Sequence, residues 1–284
     1  MRKLRNVFMM SALAVTCIFA SKCNVSAKTT SVKPLKANKT YSYNLDQKGA
    51  KEKVKVVQKE VSTDDYDYTS MTLYINNKAV ISKVRDGAVF VMDTNTKDKQ
   101  MEILIAKDFQ NDSWTDNLAN ATYYRYTSGK LKKVQNLGSV AKKKYKKLAW
   151  IHYVTDHAAF KVDSKGNLTY RVCLSLDKGL DYIHFDDTMK LKNGKFVTSS
   201  KKSFSLKDEG TGTYRSKGTN KVYKTPGSSK VAFTLKDKNA FYKKGVYIKN
   251  SSTYYVKVKA KKTGKTGYIK NKSFKAYMDG TMHM

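Results

Sequence analysis

Long apolar segments are missing from this chain of 284 residues, apart from one near its start. Residues 7–20 are mostly apolar, but this run is shorter than the ~20 residues that a membrane-spanning helix needs. Three basic residues precede the run, and the small-residue sequence Val25-Ser26-Ala27 follows it. This layout is typical of a secretory signal peptide. We therefore predict that residues 1–27 are a signal peptide and that the mature protein is extracellular.

Cysteine is scarce as well, with three in the chain. Cys17 and Cys23 fall in the predicted signal peptide, and Thr16 and Lys22 stand where a lipid anchor would need a small residue. Cys173 is then the only thiol of the exported chain, which excludes an intramolecular disulfide. The fold must therefore depend on its apolar core.

Acidic residues are few, since 23 Asp and Glu stand against 56 Lys and Arg, a net charge of +33. Arginine is also rare, so that nearly all of the positive charge is carried by lysine. Lysine is a mobile point charge, whereas arginine makes planar bidentate contacts. The balance favours loose attraction to a polyanion over sequence-specific reading of nucleic acid. Solubility and genome composition are the alternative explanation.

Recognisable catalytic motifs are absent: the sequence has no G-x-S-x-G, H-E-x-x-H or glycine-rich phosphate loop. Cys173 lies in the apolar run YRVCLSL, which is typical of a buried strand. His152, His157 and His184 are available, but no spacing connects them to the thiol. Asp186-Asp187 would point to opposite faces of a strand. We therefore predict no catalytic site.

The segment 89–106 is the best-defined hairpin of the sequence. Residues 89–92 and 101–105 are two short apolar runs joined by a polar, turn-forming segment, a pattern that predicts two antiparallel strands. A short basic helix or a solvated loop is predicted at residues 140–148. The same pattern predicts turns between further strands, at Asn76-Asn77, Ser128-Gly129, residues 163–167 and Asn193-Gly194.

The polar segment of this hairpin carries oxygen-bearing side chains of the kind that bind Ca²⁺. They are Asp93, Asn95, Asp98 and Glu102. We favour a different role, in which Asp and Asn cap the turn by accepting hydrogen bonds from its backbone N–H groups. Lys97 and Lys99 would repel a cation at this place. No cofactor is therefore expected, with Ca²⁺ as the alternative.

Two segments, YNLDQKGAKEKVKVV and FVMDTNTKDKQMEILIA, share one layout of strand, Asp, polar turn, acidic residue and strand. Asp46 matches Asp93, and Glu52 matches Glu102. This layout resembles the repeats of FG-GAP and VCBS-type β-propellers, and the resemblance covers residues 40–206. It implies a small or open propeller-like array of antiparallel strands; an unrelated β-sandwich is the alternative.

The composition changes near residues 209–212. Residues 210–284 contain 18 Lys and Arg against two Asp and Glu. A turn at Pro226-Gly227, an aromatic V-x-V strand at residues 254–258 and the sequence GKTGYI at residues 264–269 resemble the bacterial SH3 (SH3b) module. The resemblance implies a small barrel of about 55 residues. Tyrosine stands where this family commonly has tryptophan.

Together these patterns predict an all-β protein: a linker (28–38), a propeller-like or sandwich domain (39–208) and an SH3b-like domain (213–275). We expect a secreted, non-catalytic protein that attaches to peptidoglycan or another anionic wall polymer. A cell-wall hydrolase or an adhesin is the alternative. Tyrosine offers a flat face for sugars or peptides, although half-buried strand packing would also use it. The predicted ligand-binding residues are Tyr242, Tyr247, Tyr254, Tyr255, Tyr268, Lys257 and Lys265.

Overall fold

The computed structural model describes residues 29–278, except residues 49, 65, 110–117, 146–150, 155–159, 177–180 and 207–211. Four antiparallel sheets make up almost all of the regular structure in this part of the chain, which confirms the predicted all-β class. No helix among the described residues is long and apolar enough to cross a membrane. The predicted signal peptide, residues 1–27, lies outside the described residues.

Sheets I and II are consecutive four-stranded meanders. Each strand pairs with the next in the chain, because tight turns such as Asn76-Asn77 and Ser128-Gly129 place two residues at positive φ between strands. The strands of sheet I are β2 (Thr40–Tyr43), β3 (Glu52–Ser62), β4 (Asp67–Ile75) and β5 (Lys78–Arg85). Those of sheet II are β6 (Ala88–Met92), β7 (Glu102–Ala106), β8 (Ala121–Thr127) and β9 (Lys130–Asn136). The hairpin predicted within residues 89–106 is confirmed as β6 and β7.

Sheet III contains the middle of the chain and also its first described residues. Its strands are β1 (Thr29–Val32), β10 (Ile151–Val154), β11 (Phe160–Asp163), β12 (Leu168–Leu176), β13 (Asp181–Lys192) and β14 (Lys195–Thr198). The strand β1 pairs with β11, although residues 28–38 were predicted to be a linker. An edge strand is held by backbone hydrogen bonds, which do not depend on apolar side chains. Polar residues such as Thr29 and Ser31 can therefore form such a strand, although their sequence lacks the apolar pattern that predicts one.

Sheet IV is formed by the C-terminal part of the chain. Its strands are β15 (Ser203–Ser205), β16 (Tyr214–Ser216), β17 (Asn220–Tyr223), β18 (Val231–Leu235), β19 (Ala240–Asn250), β20 (Thr253–Ala260), β21 (Thr266–Lys270) and β22 (Ala276–Met278). A 3-10 turn, Asn271–Ser273, separates the last two. Most of the predicted C-terminal segment lies in this sheet. The strand β15 precedes that segment and pairs with β19.

The first two strands of sheet II, β6 and β7, are buried on both faces. Val89 and Val91 on β6 pack into a core shared with sheet I. Their neighbours Phe90 and Met92 pack into a second core, where the Phe90 ring centroid lies 4.8 Å from that of Phe160 in sheet III. Because both faces of β6 and β7 are buried, the sequence of each strand is a continuous apolar run, in which apolar and polar residues do not alternate. The three sheets therefore form a stack with sheet II in the middle.

The second core continues from sheet III into sheet IV. The ring centroids of Phe185 on β13 and Phe204 on β15 are 4.6 Å apart. Apolar side chains of β19 and β20 belong to the same cluster, among them Phe241, Val246 and Val256. One continuous apolar cluster thus includes residues from both predicted domains.

The one α-helix among the described residues, α1 (Leu137–Tyr145), follows the last strand of sheet II. Asn136 caps it, because the Asn136 Oδ1 atom accepts a hydrogen bond from the Ser139 N–H at 2.8 Å. Its buried side chains include Leu137 and Tyr145, and its basic residues lie in the last turn. Of the two alternatives predicted for residues 140–148, the structure shows the helix as far as Tyr145, and it begins three residues before residue 140.

Candidate functional site

One face of sheet IV gathers tyrosine and lysine side chains in adjacent rows. Residues directly opposite each other in an antiparallel sheet lie on one face. In the first row Tyr223 is opposite Tyr268, which is opposite Lys257. In the second row Lys270 is opposite Tyr255, which is opposite Tyr247.

A third row places Thr266 opposite Lys259, and Lys259 opposite Tyr242. We call the tyrosines and lysines of these three rows the aromatic–lysine face. Most of its side chains are half-buried or exposed. Its members are Tyr223, Tyr242, Tyr247, Tyr255, Tyr268, Lys257, Lys259 and Lys270.

Tyr255 is the most buried tyrosine of the face, with 6% of its surface exposed. The turn around Gly227 covers it, since a Cβ atom on Gly227 would lie 3.7 Å from the Tyr255 Oη atom. The ring centroids of Tyr255 and Tyr247 are 6.3 Å apart, and their planes are inclined by 60°. The two rings therefore pack against each other, and the turn restricts the Tyr255 side chain.

Five of the seven predicted ligand-binding residues lie on this face: Tyr242, Tyr247, Tyr255, Tyr268 and Lys257. Tyr254 does not, because it alternates with Tyr255 and is buried in the apolar core. Lys265 is exposed in the turn between β20 and β21. Tyr223, Lys259 and Lys270 were not predicted from the sequence. The alternation of Tyr255, Lys257 and Lys259 was a usable signal for Lys259.

The charge of the face is not balanced within its own strands, since β17, β19, β20 and β21 contain no Asp or Glu. A bulge in β19 adds Lys244, whose Nζ atom lies 5.2 Å from the Tyr242 ring centroid. The neighbouring Lys243 is turned inwards and is 2% exposed, with its Nζ atom 4.0 Å from the Tyr214 ring centroid. The bulge thus directs one lysine to the surface and one into the core.

The loop with the calcium candidates uses its carboxylates to hold its own backbone. Asp93 accepts a hydrogen bond from the Asn95 N–H at 3.1 Å, and Asp98 accepts one from the Gln100 N–H at 2.9 Å. The Asn95 side-chain amide also donates to Asp98. These are the contacts that turn capping requires. No group of three or more His, Cys, Asp or Glu that could hold a metal ion occurs among the residues that the structure describes.

Three sheets repeat this turn between equivalent strands. Asp46, Asp93 and Asp163 each accept a hydrogen bond from the N–H two residues later, at 2.9, 3.1 and 2.8 Å. The third turn touches the second, because a Cβ atom on Gly166 would lie 2.4 Å from the Thr94 carbonyl oxygen. Burial raises the pKa of Asp93. Burial also acts on Asp163, but hydrogen bonds from Asn167 outweigh it and lower the pKa of that carboxyl.

The two glutamates at matching positions of these segments, Glu52 and Glu102, also have the same role. Glu52 Oε2 accepts a hydrogen bond from the Leu45 N–H at 2.8 Å, and Glu102 Oε2 accepts one from the Thr94 N–H at 2.7 Å. Both side chains are buried. Burial raises the pKa of Glu102 to about 7, although the Thr94 N–H favours its charged form.

A cavity of about 580 Å³ lies where these loops meet the first strand. Its lining is mixed, with apolar residues such as Val32 and Met101 beside the polar Asp93, Asp163 and Thr96. Since Asp163 uses its carboxylate for its own turn, the cavity offers few polar groups that converge on one point. It is therefore a weaker candidate site than the aromatic–lysine face.

Cys173 and His184 are brought together by the long β12–β13 hairpin. The Cys173 Sγ and His184 Nε2 atoms are 3.0 Å apart, and the residues are 6% and 8% exposed. No spacing in the sequence connects the two residues, because their contact depends on the register of the hairpin. Burial of Cys173 agrees with the structural role predicted for it, and His157 lies outside the described residues.

Asp187 lies on the other face of β13 at the centre of a buried polar network. Its carboxylate accepts hydrogen bonds from Tyr145 Oη at 2.6 Å, Tyr170 Oη at 2.9 Å and Ser199 Oγ at 2.6 Å, and forms an ion pair with Lys144 at 2.7 Å. Burial, with the nearby Tyr170 and Asp187, raises the pKa of Tyr145 far above its ordinary value. The network ties α1 to sheet III.

In comparisons with known proteins, no family model and no curated protein matches the sequence, and no solved structure matches the fold.

Proposed function

We propose that the protein is secreted, has no catalytic role, and attaches to the bacterial cell wall or another anionic surface polymer through the aromatic–lysine face. The observation that carries the proposal is the set of three rows on sheet IV, which combine flat aromatic groups with lysines. Aromatic rings can stack on sugar or peptide units, and the lysines attract phosphate or carboxylate groups. The signal-peptide pattern of residues 1–27 supports export.

The spacing of the face suits an extended polymer. Neighbouring strands are about 4.8 Å apart, and successive rows along a strand are about 6.6 Å apart. Rings and charges therefore repeat at intervals comparable with the units of a polymer chain. Lysine contributes by long-range attraction rather than by fixed bidentate contacts, so that we expect selectivity for charge and for polymer form, and little selectivity for one sugar.

Binding to purified cell walls should fall at least tenfold in affinity between 0.15 M and 1 M NaCl. The reason is that the Debye length falls from about 8 Å to about 3 Å over this range. Sedimentation of the full chain with walls, before and after removal of their anionic polymers, measures the effect. Walls without these polymers should bind weakly at both salt concentrations. Salt-independent binding to both kinds of wall would contradict the proposal.

A pair of matched variants separates a local site from net charge. The triple variant Lys257→Gln, Lys259→Gln, Lys270→Gln should lose most of the binding at 0.15 M NaCl. The control Lys53→Gln, Lys55→Gln, Lys59→Gln removes the same charge from exposed positions of β3 in sheet I. Equal losses in the two variants would show that attraction comes from the whole protein.

The contribution of the rings is tested separately by Tyr247→Ala with Tyr268→Ala. Stacking is less sensitive to salt than charge attraction. We therefore expect this variant to lose the binding that remains at 1 M NaCl. Full retention of that residual binding would assign the tyrosines to strand packing alone. Far-UV circular dichroism of the variant checks that sheet IV is intact.

A further inference from the structure

The aromatic–lysine face also has the features that bind single-stranded nucleic acid. Proteins that hold a single strand without reading its sequence combine a positive surface, which follows the phosphates, with aromatic side chains on which the bases stack. On this face Tyr268 is opposite Lys257, and Tyr255 is opposite Lys270, so that rings and charges lie side by side on neighbouring strands. We infer that the face binds single-stranded nucleic acid without sequence preference, an activity that goes beyond attachment to cell walls.

The spacing of the rings favours a single strand over a duplex. Tyr247, Tyr268 and Tyr242 are half-buried and lie in three successive rows of the face. The rows are about 6.6 Å apart, whereas the nucleotides in each strand of a duplex are about 3.4 Å apart. A strand whose bases are separated to about twice the duplex spacing can therefore place one base on each ring. A duplex cannot use the rings in this way, because its stacked bases present only their edges in the grooves.

The charges of the face suit phosphate groups and give no means of reading base edges. Lys244, Lys259 and Lys270 are exposed on it. Arginine, which recognises guanine through paired hydrogen bonds, does not occur in β17, β19, β20 or β21. Residues 212–278 contain one acidic residue, Asp237, whose Oδ1 atom accepts a hydrogen bond from the Gly218 N–H at 2.7 Å. A phosphate chain on these four strands therefore meets no carboxylate of the strands themselves.

An abasic strand separates stacking from charge, because it keeps the phosphates and lacks the bases. Fluorescence anisotropy of the full chain compares a labelled mixed-sequence DNA strand of about 16 nucleotides with an abasic strand of equal length. The normal strand should bind at least about tenfold more tightly at 0.15 M NaCl, since each stacked base adds to the affinity. Equal affinity for the two strands would overturn the inference, and this comparison needs no variant protein.

The tyrosines are tested with the same two probes. Tyr247→Ala combined with Tyr268→Ala should weaken binding of the normal strand at least about tenfold. Binding of the abasic strand should stay unchanged, which also shows that the variant is folded. Unchanged binding of the normal strand to this variant would overturn the inference.

The lysines are tested through the dependence of affinity on salt. For single strands the logarithm of the binding constant falls with the logarithm of the salt concentration by about 0.7 for each phosphate that is neutralised. The four lysines of the face, Lys244 included, therefore predict a slope of about −3, and the triple lysine variant of the face should reduce its magnitude by about 2. The matched triple variant of β3 should keep the full slope. Equal reductions in the two variants would overturn the inference, because the strand would then lie elsewhere on the protein.

Sedimentation with nuclease-treated cell walls distinguishes this activity from wall attachment. Wall binding together with equal affinity for the normal and abasic strands would overturn the inference and leave wall attachment in place. Preference for the normal strand without any wall binding would support the inference and overturn wall attachment.

Discussion

Replacing Asp187 with asparagine should lower the free energy of unfolding by about 3–5 kcal/mol, the usual cost of breaking a buried ion pair by removing one partner. The Asp187 side chain is fully buried, and that of Lys144 is 14% exposed. Asparagine has the same shape but no charge, so that the Lys144 ammonium would be left without its carboxylate. The asparagine amide group would also face hydroxyl groups that donate to the carboxylate in the native protein. Urea denaturation measures the loss.

The neighbouring residue gives a matched control. Asp186 lies on the opposite face of the same strand, and its ion pair with Arg171 is partly exposed, at 24% and 21%. Asp186→Asn should cost less than about 1 kcal/mol, as expected for ion pairs that water reaches. The loss of unfolding free energy in Lys144→Met should lie between those of the two aspartate variants, since Asp187 would keep its three hydroxyl donors. Equal losses for Asp186→Asn and Asp187→Asn would contradict the role of the buried network.

The free energy of unfolding of the wild-type protein, minus that of the Glu102→Gln variant, should fall by about 3 kcal/mol as the pH rises from 4.5 to 8. In the folded chain the pKa of Glu102 is raised to about 7 from its ordinary 4.5, chiefly by burial. The folded state therefore holds this proton more tightly than the unfolded state. The resulting stabilisation is complete below pH 4.5 and is lost as the pH rises through 7. Glutamine has no such titration, and it can still accept the hydrogen bond from the Thr94 N–H.

Urea denaturation of both proteins across this pH range measures the difference. Subtracting the two curves removes the contributions of the other titrating groups, provided that the substitution leaves them unchanged. The exposed Glu60 on β3 supplies the control variant, Glu60→Gln, which is measured over the same pH range. A pH-independent difference for Glu102→Gln would contradict the prediction, because the pKa of Glu102 would then be the same in the folded and unfolded states.

The sequence by itself determined the local structure of this protein. The hairpin of β6 and β7, the Asn193-Gly194 turn and the turn of residues 163–167 were all predicted, because strand pairing across a short turn depends on residues close in sequence. The shared layout of Asp46 with Asp93 and Glu52 with Glu102 was also visible. Each of these carboxylates accepts a hydrogen bond from a nearby backbone N–H group, so that the two members of each pair hold the backbone in the same way. Apolar runs and turn residues encode such features directly.

Only the tertiary structure decided which side chains meet across distant strands. The polar strand β1 joins sheet III, and Tyr255 rather than Tyr254 lies on the aromatic–lysine face, because pairing and register are set by partners far away in the chain. The contact between Cys173 and His184, and the network at Asp187, arise in the same way. A shift of one residue in register would move each of these side chains to the opposite face. The stacking of sheets fixes that register, since only one choice buries the apolar face of every strand.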